Sequence, residues 1–96
     1  MLGKRRFFRV KGSFAVHWKI EDKAIAGDGI VSNISITGME MVINKVLSLS
    51  VGTIFCIEAA PGEVLPLQSK KAKVMRSEKI IFNGVERLRC GLEFVK

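Results

Sequence analysis

Two short groups of polar residues have the types and spacings that could hold an anionic, aromatic ligand. The first is the run Lys4, Arg5, Arg6, Phe7, Phe8, Arg9, Val10, in which Arg5 and Arg9 stand four apart. A guanidinium is a planar fork of donors that can grip a phosphate through two bonds and can also stack on a base, so arginine serves both halves of a nucleotide. The second group is Asn33-Ile34-Ser35-Ile36-Thr37-Gly38. The Asn33 amide offers an acceptor and donors, and Ser35, two residues on, faces the same side of an extended chain. Gly38 permits positive φ or a close backbone approach at the turn. Neither group is diagnostic alone. A basic run near a terminus is commonly a solvated tail, and Asn, Ser and Gly are ordinary turn residues.

Competing chemistries are poorly provided for. His17 is the only histidine, beside Trp18 on a strand-like stretch, and no Ser-His or Cys-His arrangement is built around it. It reads as a structural or surface residue. The nine carboxylates are scattered over turns and solvent-side positions without an acid–base couple, and no glycine-rich phosphate loop joins a strand to a helix. Cys56 and Cys90 fall in apolar strand patterns with no second Cys or His at metal-ligand spacing, which predicts buried, reduced thiols. The expectation is a binding domain and not an enzyme, with no catalytic residues, no metal and no cofactor.

The elements that must position these groups read as strands. The chain has 96 residues, the size of one domain, and its 48% apolar and 26% charged residues are ordinary for a soluble globular protein. A net charge of +7 implies an anionic partner without naming it. No run approaches the ~18–20 apolar residues of a membrane span. Lys11, Gly12 and Ser13 follow the basic run where a signal peptide would have an apolar stretch, so the cytoplasm is the expected location. Phe14, Val16, Trp18 and Ile20 alternate with Ala15, His17 and Lys19 and predict a first strand over 14–20. A second strand is expected over 24–34, with Gly27 and Gly29 marking a bulge, and a third places Met39, Met41 and Ile43 on one face. Residues 44–50 could hold a short helical turn, and a fourth strand runs over 53–59 to the turn Pro61-Gly62. A fifth strand is expected over 65–76, and a last hairpin joins 79–82 with 88–95 around Asn83-Gly84. Six or seven short strands point to an all-β barrel or sandwich, and a closed barrel removes open edges.

Taken together, Arg-x-x-x-Arg at Arg5 and Arg9 and Asn-x-Ser-x-x-Gly at Asn33, Ser35 and Gly38 resemble the PilZ domain, the bacterial receptor module for cyclic di-GMP. The stretch VGTIFCIEAAPGE, the stretch AKVMRSEK and the closing CGLEF extend the resemblance over nearly the whole chain. It implies one domain over 1–96: a flexible ligand-binding arm over 1–11 and, over 12–96, a six-stranded antiparallel β-barrel of the split-barrel type. It also implies that Arg5 and Arg9 grip phosphates and guanines, Asn33 bonds a guanine edge, Ser35 adds a polar contact and Gly38 supplies the turn. Lys4 and Arg6 are secondary, and a lysine at position 4 leaves the ligand stoichiometry open. Phe7 and Phe8 are expected to pack the arm against the barrel. Asn33 departs from the commoner aspartate, trading a negative charge for an amide. The sequence carries no output domain, so an adaptor acting on a protein partner of unknown identity is expected. Two alternatives stand beside this reading: a small basic barrel for single-stranded nucleic acid, which the scarcity of non-core aromatics disfavours, and a PilZ-like interaction module that binds no nucleotide.

Overall fold

The computed structural model describes residues 9–10, 13–62 and 70–95. Eight strands form among them: β1 (Arg9–Val10), β2 (Phe14–Ile20), β3 (Ala26–Ser32), β4 (Ile34–Ser35), β5 (Gly38–Ile43), β6 (Ile54–Ala59), β7 (Lys71–Phe82) and β8 (Val85–Phe94). Six of them close an antiparallel barrel in the order β2-β3-β5-β8-β7-β6, with β6 pairing back onto β2, as the all-β expectation required. The remaining two, β1 and β4, form a separate two-stranded sheet.

The alternation of β2 does what a period of two should. Val16, Trp18 and Ile20 point into the barrel and are buried, while Ala15, His17 and Lys19 face outward. Trp18 fills the interior by stacking on Phe55 with ring centroids 5.1 Å apart, and its indole N–H donates to the Asp28 carbonyl at 2.8 Å. Met41, Ile43, Ile57, Val74 and Cys90 complete the centre of one core. Burial of each such side chain is worth ~1.5–3 kcal/mol. At the far end Asn83 and Gly84 take φ of 52° and 78°, the two positive values that let a two-residue turn follow the twist of its strands.

Several sequence expectations change. No bulge occurs at Gly27 or Gly29, because β2 and β3 pair in unbroken register from Phe14↔Val31 to Lys19↔Ala26. Those glycines serve packing. A Cβ on Gly27 would stand 2.7 Å from the Trp18 ring, so the absent side chain is the space the indole occupies. The expected second strand stops at Ser32, since Asn33 adopts a φ of 51° and turns the chain out of the barrel; asparagine tolerates this left-handed conformation better than most residues. The expected fifth strand and the first arm of the last hairpin are one strand, β7, continuous through a bulge between Val74 and Arg76. Residues 65–69 of that expected strand lie outside the described residues. β8 begins at Val85 and not at 88, and 44–50 are a bend at 44–45 followed by irregular chain, without a helix. Cys90 is fully buried, whereas Cys56 is only half-buried. Within the expected arm, Arg9–Val10 is a strand; residues 1–8 and 11, with Lys4, Arg5, Arg6, Phe7 and Phe8, lie outside the described residues.

Candidate ligand-binding site

The segment from Asn33 to Gly38 folds as a compact turn on the outside of the barrel. After Asn33 reverses the local backbone, Ile34 is driven into the core at 1% exposure and anchors β4. Ser35 then caps the turn: its Oγ accepts the Gly38 N–H at 3.3 Å and lies 3.3 Å from the Gly38 carbonyl oxygen, to which the hydroxyl can donate. Gly38 is required by close approach. A Cβ there would lie 2.0 Å from the Leu92 carbonyl oxygen, which is where β5 and β8 pair through Gly38↔Glu93. Of the two roles open to Gly38, the structure selects backbone approach over positive φ.

Asn33, Ser35 and Gly38 line one groove of about 440 Å³, together with Thr37, Glu40, Met75, Arg76 and Glu93. That size lies within the usual range for small-molecule sites. Asn33 and Ser35 meet there for a different reason from the one the sequence suggested. Asn33 itself is not extended; its positive φ and the short β4 that follows carry both to the same rim. The pairing of β1 with β4 sets Arg9 opposite Ser35 and Val10 opposite Ile34, so the second arginine of the Arg-x-x-x-Arg pair has its backbone at this rim.

Sequence reasoning missed three residues here. Glu40 accepts from the Asn33 amide at 3.4 Å and from Arg76 at 3.5 Å, and Arg76 lies over Gly91. The only signal for them was a glycine inside the closing strand, which carries no chemistry by itself. The charges of the groove floor are paired internally, Arg76 with Glu40 and Lys73 with Glu93 at 3.4 Å. Further along the hairpin, hydrogen bonding to Arg89 holds the Glu78 carboxyl below its usual range, and the same bond raises Arg89. Burial pushes the Cys90 thiol up to about 11, so it has little thiolate at neutral pH and is a packing residue. His17 is exposed and its Nδ1 lies 2.6 Å from Asp28 Oδ1, a pair on the barrel's outer face. No group of three or more metal-ligating side chains occurs among the described residues.

A larger groove of about 710 Å³ lies elsewhere, lined by Ala15, Ile30, Val42, Ala60 and Phe82 with His17 and Asp28. It contains none of the motif residues.

A closed six-stranded barrel with a polar groove built on an outward turn defines a small β-barrel domain. No family model matches the sequence, and no curated protein matches it. Among solved structures it is similar to the PilZ domain with c-di-GMP of YcgR from Escherichia coli, with a TM-score of 0.63 and 19% identity over 97% of this chain and 79% of that one. The chain therefore has the PilZ-domain fold that the two motifs implied.

Proposed function

We propose that this protein is a cytoplasmic cyclic di-GMP receptor of the PilZ type, not an enzyme, that regulates a protein partner through a ligand-dependent change in its arm and the surface around it. The observation that carries the reading is the pairing of Arg9 with Ser35, which sets the backbone of Arg9 at the rim of the groove that Asn33, Ser35 and Gly38 line. The likeness to a PilZ domain holding c-di-GMP supports the same conclusion. A cyclic dinucleotide brings two phosphate charges and two bases. Because the floor's own ions are paired, the phosphates fall to Arg5 and Arg9, with Lys4 and Arg6 adding charge. Charge-assisted hydrogen bonds worth ~1.5–3 kcal/mol each can sum to the ~8 kcal/mol of a micromolar complex after the cost of ordering the groups that make them. No helix among the described residues is long and apolar enough to cross a membrane.

Calorimetric titration with cyclic di-GMP tests this directly. Saturable binding at micromolar concentration is expected, and Arg9→Ala should abolish it while leaving the melting temperature of the free protein nearly unchanged. Absence of binding at tens of micromolar rejects the reading. Single-stranded nucleic acid would instead bind with steep salt dependence and an affinity that grows with oligonucleotide length. Phe82 is the one exposed large aromatic among the described residues, and a lone ring is no stacking platform.

A further inference from the structure

Arg76 owes its position to the irregularity in β7. Val74 pairs with Leu92 and Arg76 with Gly91, so Met75 is the extra residue of the bulge. Without it, the alternation that turns Ala72 and Val74 inward would bury Arg76; with it, Met75 and Arg76 both lie outside. The guanidinium rests on Gly91, where a Cβ would stand 2.8 Å from Nη1 and 2.9 Å from Cζ. Glu40 lies beside it on β5. Its Oε2 accepts from Arg76 Nη2 at 3.5 Å and its Oε1 accepts from Asn33 Nδ2 at 3.4 Å. Both contacts are long, and each carboxylate oxygen keeps a free lone pair. The Arg76 side chain is 72% exposed and that of Glu40 27%, so both remain open to the groove.

Side by side, the two groups present a donor followed by two acceptors. The guanine edge presents the complement: the O6 acceptor, then the N1–H and N2–H donors. An adenine in the same place would turn its amino group toward the guanidinium and its bare N1 toward the carboxylate, leaving two repulsive contacts. We propose that Glu40 and Arg76 are the base-reading pair of this site and select guanine over adenine, with Asn33 orienting the Glu40 carboxylate. This rests on the cyclic di-GMP reading and adds to it the residues that set specificity. It also gives a physical meaning to asparagine at position 33. An amide can donate to Glu40 where an aspartate would repel it, and the negative charge facing the base comes from the neighbouring strand.

The test is titration of the full chain with cyclic di-GMP and with its diadenosine counterpart, for the parent protein, Glu40→Gln and Arg76→Gln, each with a thermal melt. The parent should prefer the guanine ligand by about a hundredfold or more. Each variant should weaken guanine binding by about tenfold to a hundredfold and, by removing one repulsive contact, leave the weak adenine binding unchanged or tighter, so the ratio collapses. Either variant that melts like the parent suffices. If Glu40 were only a misplaced negative charge near an anion, Glu40→Gln would tighten both ligands, and that result overturns the pair. Retention of the ratio in both variants, or equal binding of the two ligands by the parent, overturns the pair and leaves the receptor reading standing. A parent that binds neither ligand overturns both.

Discussion

Trp18 lies over Gly27 and Gly29 in the β2–β3 wall, and Arg76 lies over Gly91 where β7 crosses β8. In both regions a large planar side chain occupies the space a Cβ would need, 2.7 Å from the first glycine's Cβ position and 2.8 Å from the last. The surroundings are opposite. Trp18 is 2% exposed, stacked on Phe55 and tied to the Asp28 carbonyl, and its strands pair without a break. Arg76 sits on a bulge, faces solvent and is held by one long contact to Glu40. The same device therefore locks a core in one wall and presents an exposed charged plane in the other. What separates them is whether the covering side chain has anywhere else to go.

Breaking the first arrangement should have the largest effect. Trp18→Ala removes the largest fully buried side chain and leaves the Asp28 carbonyl with only the Asn44 N–H as donor, at a cost of ~3–5 kcal/mol. Gly27→Ala should follow. The new methyl meets the indole at 2.7 Å and Asn44 Oδ1 at 2.8 Å; the exposed Asn44 amide can give way but the buried ring cannot, so ~1–3 kcal/mol of overpacking is expected. Chemical denaturation of the two variants measures both. If Gly27→Ala were as stable as the parent, the glycine would not be there for the ring.

This contrast also marks what could be read in the sequence. The alternation over 14–20 was legible because one face meets only core, and Asn83-Gly84 was legible because the turn depends on its own two residues. The groove was half legible. Asn33, Ser35 and Gly38 form a local unit with their own hydrogen bonds, so their spacing survives in one dimension. Glu40, Arg76 and Gly91 come from three strands and meet only through the register of β5, β8 and β7. β7 was hidden as well, since beyond the bulge its alternation gives way to the exposed run Ser77-Glu78-Lys79 in the middle of a continuous strand, which makes it look like two. Gly27 and Gly29 were misread as a bulge because a strand glycine signals either irregular backbone or a bulky neighbour, and only the fold tells which.

Gly91→Ala is the counterpart of Gly27→Ala and should behave oppositely. The atoms a methyl would meet are the end of a flexible, exposed side chain, so Arg76 can swing away and stability should change by less than ~1 kcal/mol, with the reduced freedom of the unfolded chain acting in favour. Cyclic di-GMP affinity should nevertheless fall, because the guanidinium loses its seat while the charge of the protein is unchanged. A variant that is as stable as the parent but binds more weakly would separate the two uses of a covered glycine. A large loss of stability would merge them.

The smallest effects belong to the second arginine–glutamate pair on the same hairpin. Arg89 and Glu78 face each other across β7 and β8 with a closer contact than Arg76 and Glu40 make, but no glycine seats the guanidinium and neither residue lines the groove. Both are exposed, so the pair should matter little for stability and not at all for ligand affinity. It remains measurable by titration. Because Arg89 lowers the Glu78 pKa in the folded chain, whatever stability the pair supplies is present above the ordinary glutamate range and is lost as the pH falls through the folded value. Following the Glu78 carboxyl by NMR should show it ionising below the usual range, and Arg89→Gln should return it there while cyclic di-GMP affinity stays the same. If Arg89→Gln weakened binding as much as Arg76→Gln, any cation on this hairpin would serve. The seat on Gly91 and the contact with Glu40 would then lose their claim to specificity.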